Sequence, residues 1–225
     1  KKEIDFWTKE EFEKVIKTFY IEDYYQNFSF ICIWLLFMTG MRIGEATALT
    51  WKDVNLDGRY LTVKNSLYYK NAQTYEFVSP KTRASIRTIY LDEDTVHYLR
   101  DWKKRQDDVG GIEFVLSYNS VPTQKHTVRH IIKRHAKLAE VHDIRIHALR
   151  HSHASLLISM GTNALLIKER LGHEDVQTTL GTYGHLYPSS STEIANELKG
   201  IVNVEFTERN MASEVTNQFT KGVKK

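Results

Sequence analysis

The sequence has little cysteine and little continuous apolar chain, and both shortages exclude classes of protein. Cys32 is the single cysteine among 225 residues, so an intramolecular disulfide is excluded and the chain suits a reducing cytoplasm. The most apolar run, FSFICIWLLFM at residues 28–38, is too short to cross a membrane and predicts a buried helix. No signal peptide opens the chain, and because it begins with lysine rather than methionine we expect either a fragment or a trimmed form of a longer protein.

Net charge is low as well. The formal net charge is +3 and the hydrophobic content is 41%, which suits a globular chain that buries a core. This weakly basic balance allows an anionic partner without requiring one, so the argument for such a partner depends on local clusters of charge.

Paired metal ligands are also missing. Histidines at positions 142, 147, 151 and 153 come nearest to a zinc site, but the chain has no CxxC pair and no clear third or fourth ligand. We therefore predict no metal. A zinc-binding structural module remains an alternative that metal analysis of the purified protein would decide.

A dense group of polar residues lies within residues 147–188. His147 and Arg150 are three residues apart, so on a helix they share one face. His173 follows the end of a second predicted helix, and Tyr183 comes ten residues later in a predicted turn between two glycines. Arginine provides a permanent charge that suits a phosphate, histidine carries protons near neutral pH, and a tyrosine oxygen can attack phosphorus to form an ester. The combination predicts phosphoryl transfer.

Several motifs resemble those of one enzyme family. HALRH, LGHEDVQTT and TYGHL resemble the C-terminal boxes of the tyrosine recombinases, of the phage integrase type, in that family's order and spacing. TGMRIGE resembles the family's first arginine box, and PKT within SPKTRAS resembles the β-hairpin turn that holds its catalytic lysine. The resemblance implies six catalytic residues, Arg42, Lys81, His147, Arg150, His173 and Tyr183, with Glu45 in support.

The same resemblance implies a role for each side chain. The tyrosine attacks the scissile DNA phosphate, the two arginines clamp its non-bridging oxygens, the histidines assist, and the lysine protonates the leaving 5′-oxygen, with no cofactor. Without the later motifs, Arg42 and Glu45 would suit an ordinary surface ion pair. Lys81, judged alone, would suit a solvated turn residue.

Periodicity predicts a fold that is mainly α with a small three-stranded antiparallel β-sheet, an α+β class. Alternation in RYLTVKNS, YEFVS and SIRTIYL predicts the three strands, and IEFVLS predicts a further short strand or extended segment. Helix caps are predicted at Thr8 with Glu11, Gly40, Asp92, Asn163 and Gly172.

One predicted helix is strongly basic. QKHTVRHIIKRHAKLAE places its apolar side chains, with Leu138 among them, on one face and its cations on another. Such a helix suits a DNA groove, because its cations release counterions from phosphates; a merely solvated charged face is the alternative. With the PKT turn, the candidate DNA contacts are Thr82, Arg83, Lys125, Arg129, Lys133 and Arg134.

The resemblance also implies an organisation and partners. We expect a catalytic domain at residues 1–188 and a C-terminal tail at 189–225 that docks either on its own body or on a neighbouring subunit. The expected partners are double-stranded DNA at a recombination site and further copies of the chain, a tetramer in the synaptic complex, in the bacterial cytoplasm at the nucleoid and with no membrane. A type IB topoisomerase and a non-catalytic DNA-binding protein of the same fold are the alternatives.

Overall fold

The computed structural model describes residues 4–70, 74–79, 82–187, 195–196 and 198–202. Helices α1 to α8 are Lys9–Ile16, Tyr24–Thr39, Ile43–Ala48, Glu93–Asp108, Lys125–Leu138, Ile146–Ser159, Ala164–Leu171 and Val176–Tyr183. Strands β1 to β5 are Val54–Asn55, Tyr60–Val63, Ser66–Tyr69, Tyr75–Val78 and Arg87–Tyr90. Short 3-10 turns cover Trp51–Asp53, Arg83–Ser85 and Gly184–Leu186.

The ends of several helices follow the local signals that the sequence predicts. Thr8 opens α1 with a capping box, and the side chains of Asp92 and Asn163 accept backbone N–H groups at the starts of α4 and α7. Helices α2 and α7 end at Gly40 and Gly172, whose φ angles are 65° and 69°. These left-handed conformations favour glycine. Both helix ends form part of the functional site described below.

Helix α2 lies at the centre of the core. Its side chains are apolar on nearly every side, and it packs against α4, α5 and α6, as expected of a helix that is buried all round. Phe37 of α2 stacks on Phe12 of α1 with ring centroids 3.5 Å apart. The indole N–H of Trp102 donates to the carbonyl of Val115 at 2.8 Å, which satisfies a buried donor.

The strands form two antiparallel sheets, and one predicted strand changes its partner. Strand β2 lies between β1 and β5 in a three-stranded sheet, while β3 pairs with β4 in a separate hairpin. The prediction that YEFVS belongs to the three-stranded sheet is therefore wrong. Residues 76–78 of β4 are all exposed, whereas β5 alternates buried Arg87 and Ile89 with exposed neighbours. Strand β4 thus lacks the buried face that would hold it in the main sheet.

One smaller prediction is wrong. Leu138 is predicted on the apolar face of its helix, yet it is 57% exposed. It is the last residue of α5, where the helix face no longer meets the core. IEFVLS, predicted as a short strand or an extended segment, contains bends and a single antiparallel bridge from Phe114 to Thr50.

The chain divides into two compact units, Lys1–Tyr187 and Pro188–Lys225. All the helices and strands named above lie in the first unit. In the second unit the described residues 198–202 are exposed. Within the ranges that the structure describes, no helix is both long and apolar enough to cross a membrane.

Candidate active site

A cleft of about 700 Å³ gathers segments that are far apart in the sequence. Its walls come from the start of α3, the β3–β4 hairpin, the starts of α5 and α6, and the chain that follows α7. The residues predicted for catalysis or DNA contact that line it are Arg42, Glu45, Thr82, Lys125, His147 and His173.

Glu45 holds two arginines at the wall of this cleft. Its carboxylate accepts the backbone N–H and the Nη1 of Arg42, each at 2.9 Å. Nη2 of Arg87, on β5, donates to the same carboxylate at 2.9 Å. Burial raises the pKa of Glu45, but the hydrogen bonds and charge of Arg87 and the hydrogen bonds from Arg42 outweigh it, so the pKa lies below its usual value. Glu45 therefore stays ionised and fixes both guanidinium groups.

Arg150 is held by the ends of two helices. Its Nη1 donates to the carbonyl of Gly40 and its Nη2 to that of Leu171, both at 2.7 Å. These carbonyls lie at the C-termini of α2 and α7, where carbonyls lack helical partners and the helix dipole is negative. The side chain is 2% exposed, and burial with the charge of Arg42 lowers its pKa to about 9. Arg150 remains a cation at neutral pH, aimed by backbone groups.

His147 and His173 supply neutral imidazoles to the cleft. His147 lies on α6 one turn before Arg150. Nδ1 of His173 hydrogen bonds to Oγ1 of Thr179 at 2.8 Å, which fixes its ring. Burial, followed by the charges of Arg150 and Arg42, lowers the pKa of both histidines, that of His173 to about 4. At pH 7 both rings are uncharged and can either donate or accept a proton.

Tyr183 is the last residue of α8, so the prediction of a turn around it is wrong. Helical hydrogen bonding continues past it to the N–H of Gly184. Its side chain is 1% exposed, and its hydroxyl lies 2.8 Å from Nδ1 of His151. Burial raises the pKa of Tyr183 to about 12, although the charges of Arg150 and Arg42 act to lower it.

These groups form one electrostatic unit. The charges of Arg42 and Arg150 act on both cleft histidines and on Tyr183. Two fixed cations and two imidazoles can bind the oxygens of a phosphate, and the tyrosine beside them can attack phosphorus. The arrangement therefore suits phosphoryl transfer.

The remaining predicted residues lie elsewhere or are not described. Lys81 and the side chain of Arg83 lie outside the part of the chain that the structure describes. The backbone of Arg83 begins a 3-10 turn. Arg129 forms a bidentate ion pair with Asp143, so its guanidinium is already engaged. Two other cations of α5 are exposed and do not line the cleft: Lys133 and Arg134.

Two residues at the site were not predicted. Arg87 contacts Glu45 across 42 positions of sequence, and its signal was a charged residue on the same strand face as buried Ile89. His151 contacts Tyr183, and its signal was a position one helical turn after His147. Within the described part of the chain, no three histidine, cysteine, aspartate or glutamate side chains form a group that could hold a metal ion.

Known proteins are similar to this chain in sequence or in fold. The ICEBs1 integrase of Bacillus subtilis (strain 168) is 34% identical over 220 residues, which cover 90% of this chain and 56% of that protein. The structure of the Tn1549 transposon integrase in complex with transposon right end DNA has a TM-score of 0.71 at 22% identity and covers 88% of this chain and 65% of that one. The XerA recombinase structure has a TM-score of 0.66 at 21% identity, covering 88% and 66%.

The extent of these matches defines what they show. The structural similarity supports the fold, which is mainly α with small antiparallel sheets. The chain spans about half the length of the curated relatives it matches. The model of the phage integrase family matches residues 6–190. The chain therefore belongs to the phage integrase family, the family of the tyrosine recombinases.

Proposed function

We propose that the chain is the catalytic part of a site-specific DNA recombinase of a mobile element, which cuts and rejoins DNA through a 3′-phosphotyrosyl intermediate. The observation that supports this best is the grouping of Tyr183 with two fixed arginines and two neutral histidines in one electrostatic unit. Tyr183 attacks the scissile phosphate and releases a 5′-hydroxyl. The new ester conserves the energy of the broken bond, so another strand can reverse the step without ATP.

Arg42 and Arg150 bind the non-bridging oxygens of the phosphate. Both guanidinium groups are fixed before DNA arrives, Arg42 by Glu45 and Arg150 by the carbonyls of two helix ends. Fixed donors stabilise charge that develops in the transition state without a cost of reorganisation. His147 and His173 add hydrogen bonds to the same phosphate, because their neutral rings can present an N–H.

The proposed general acid is Lys81, which lies between β4 and β5 in the sequence. Thr82, its neighbour in sequence, lines the cleft, which supports this proposal. Lys81→Ala should impair cleavage of a normal phosphodiester but spare a 5′-bridging phosphorothiolate, whose sulfur leaves without a proton. Equal losses on both substrates would exclude the acid role.

Double-stranded DNA at a recombination site is the proposed substrate, and the existence of the Tn1549 transposon integrase structure with DNA supports this class of partner. We further propose a tetramer of the chain on DNA and action at the nucleoid in the cytoplasm. The proposed boundary lies at residue 188, after which residues 189–225 dock on their own body or on a neighbouring subunit. Truncation after Pro188 should then weaken assembly on DNA with little loss of stability; outright unfolding would contradict this role.

A nicked suicide substrate tests the proposed activity. After cleavage, the short fragment diffuses away and the covalent complex accumulates, so denaturing electrophoresis detects a protein–DNA adduct. We expect an adduct with the wild-type chain and none with Tyr183→Phe, although both bind DNA. A DNA-binding protein without catalysis would give no adduct with either. A relaxation assay beside a strand-transfer assay separates recombinase from topoisomerase activity.

A further inference from the structure

His151 lies beside the proposed nucleophile and has no part in the roles described so far. Its Nδ1 is 2.8 Å from the hydroxyl oxygen of Tyr183, and the two rings meet at 64° with centroids 5.6 Å apart. This distance suits direct proton transfer. Resting on the function proposed above, we propose that His151 is the general base that accepts the hydroxyl proton of Tyr183 during DNA cleavage.

His151 and His147 face different partners. His147 lines the cleft that would hold the phosphate, whereas His151 and Tyr183 do not line it. The two histidine rings are nearly perpendicular, at 88°, with centroids 4.7 Å apart. They are one turn apart on α6, but His147 lines the cleft whereas the ring of His151 hydrogen bonds to Tyr183. His147 thus donates a hydrogen bond to the phosphate, and His151 accepts the proton of the tyrosine.

The proton of the Tyr183 hydroxyl moves to Nδ1 of His151, a step that uses the tautomer with its hydrogen on Nε2, so the ring becomes an imidazolium. The phenolate oxygen forms a bond to phosphorus while the bond from phosphorus to the 5′-oxygen breaks. The 5′-oxygen takes its proton from the separate acid. When strands rejoin, the imidazolium returns its proton to the departing tyrosine oxygen.

The groups around His151 set its readiness to accept this proton. Burial is the largest cause of a lowered pKa at His151, followed by the charges of His147 and Arg150 on the same helix. Together they lower the pKa of His151 to about 4. Asp5 acts in the opposite direction, and Tyr183 faces the ring from α8. His151 is therefore neutral at pH 7, so one of its ring nitrogens can accept a proton. A bound phosphate adds negative charge, which favours the imidazolium.

His151→Asn tests the base role directly. The amide can still accept a hydrogen bond near the Nδ1 position but cannot take up a proton, so it separates orientation from catalysis. His151→Gln is a second variant of the same chemistry in case the first is unstable. Single-turnover adduct formation on the nicked suicide substrate should fall about 100-fold at pH 7. DNA affinity and the far-ultraviolet circular dichroism spectrum should match those of the wild type.

The pH profile distinguishes a lost base from damaged structure. Without His151 the reaction depends on ionised Tyr183, so the defect should shrink as pH rises from 6 to 9. Replacement of Tyr183 by 3,5-difluorotyrosine, whose hydroxyl is more acidic, should restore much of the rate of His151→Asn at pH 7.

Other outcomes would overturn the proposal. A loss that is equal at every pH and not relieved by fluorination would mean that His151 only positions the tyrosine. A rate that is unchanged or increased would mean that the hydrogen bond is dispensable or holds the tyrosine inactive. If the wild-type chain itself formed no adduct, the proposed function would fail, and this failure is distinguishable because it precedes any comparison of His151 variants.

Discussion

The carboxylate of Glu45 lies 2.9 Å from Nη2 of Arg87, and both side chains are less than 10% exposed. The same carboxylate holds Arg42, which is half-exposed at the cleft. Glu45 therefore joins a structural arginine to a proposed catalytic one. Loss of Arg87 would leave a buried carboxylate with a single cationic partner.

Arg87→Ala should lower the free energy of unfolding by up to about 3–5 kcal/mol, because it leaves the buried Glu45 carboxylate with only half-exposed Arg42 to offset its charge. Arg59→Ala is a matched control, since Arg59 pairs with Glu93 on the surface and should cost less than about 1 kcal/mol. Urea denaturation of the two variants beside the wild type checks this. Equal losses would mean that the buried Glu45–Arg87 pair contributes no more to the free energy of unfolding than a surface ion pair does.

Gly172→Ala should impair both stability and cleavage. A Cβ at this left-handed position would lie 2.9 Å from Nη1 of Arg87 and 3.0 Å from the carbonyl of Ala84, so either the Arg87 side chain or the helix end that holds Arg150 must shift. Gly161→Ala is the control, because Gly161 has a similar φ of 79° and nothing within 4 Å of the added Cβ. It should cost about 1–2 kcal/mol for backbone strain alone and leave cleavage intact. A similar cleavage defect in both variants would contradict this account.

Local signals predicted the helices better than they predicted the sheets. Caps at Thr8, Asp92 and Asn163 depend on residues within one turn, so the sequence alone contains the information. Strand partners depend on contacts across the chain. The alternation in YEFVS could not reveal that this segment pairs with residues 66–69 rather than with the main sheet.

The site shows the same division. The family resemblance implied that Arg42 would lie with His147 and His173, and all three line one cleft in the structure. It could not predict Arg87 or His151, because their partners are supplied by tertiary packing. Nor could it show that backbone carbonyls at two helix ends would orient Arg150. Every residue has a backbone carbonyl, so the sequence does not indicate which one accepts a hydrogen bond.

Buried histidines should make the chain less stable in mild acid. Burial lowers the pKa of His135 to about 4, that of His153 to about 3 and that of His173 to about 4, whereas an unfolded histidine has a pKa near 6.5. As pH falls from about 6.5 towards 4, the unfolded chain takes up protons that the folded chain does not, so stability falls. His135→Phe, which can keep the stacking on Phe19, should reduce the slope of unfolding free energy against pH by up to about 1.4 kcal/mol per pH unit. Identical slopes between pH 5 and 6 would contradict this.

Lys125 should contribute to DNA binding through its position in the cleft wall. Lys125→Ala should weaken binding across unrelated sequences and reduce the slope of log affinity against log salt by about 0.9, the value for one phosphate contact. Lys137→Ala is the control, since Lys137 is exposed near the opposite end of α5. Fluorescence anisotropy over a salt series measures both slopes. If Lys125→Ala leaves the slope unchanged, the cleft does not follow the DNA backbone.

The most direct measurement of the central claim is identification of the residue that becomes attached to DNA. Tyr187 is the competing candidate by position, but its hydroxyl faces the carbonyl of Thr162 at 3.5 Å, whereas Tyr183 lies close enough to Arg150 and Arg42 for their charges to act on its hydroxyl. Trapped complexes should be digested with protease and nuclease and the modified peptide sequenced by mass spectrometry. We expect the nucleotide on Tyr183, and we expect Tyr187→Phe still to form the adduct. A nucleotide on Tyr187 or any other residue would contradict the assignment of the nucleophile and the site built around it.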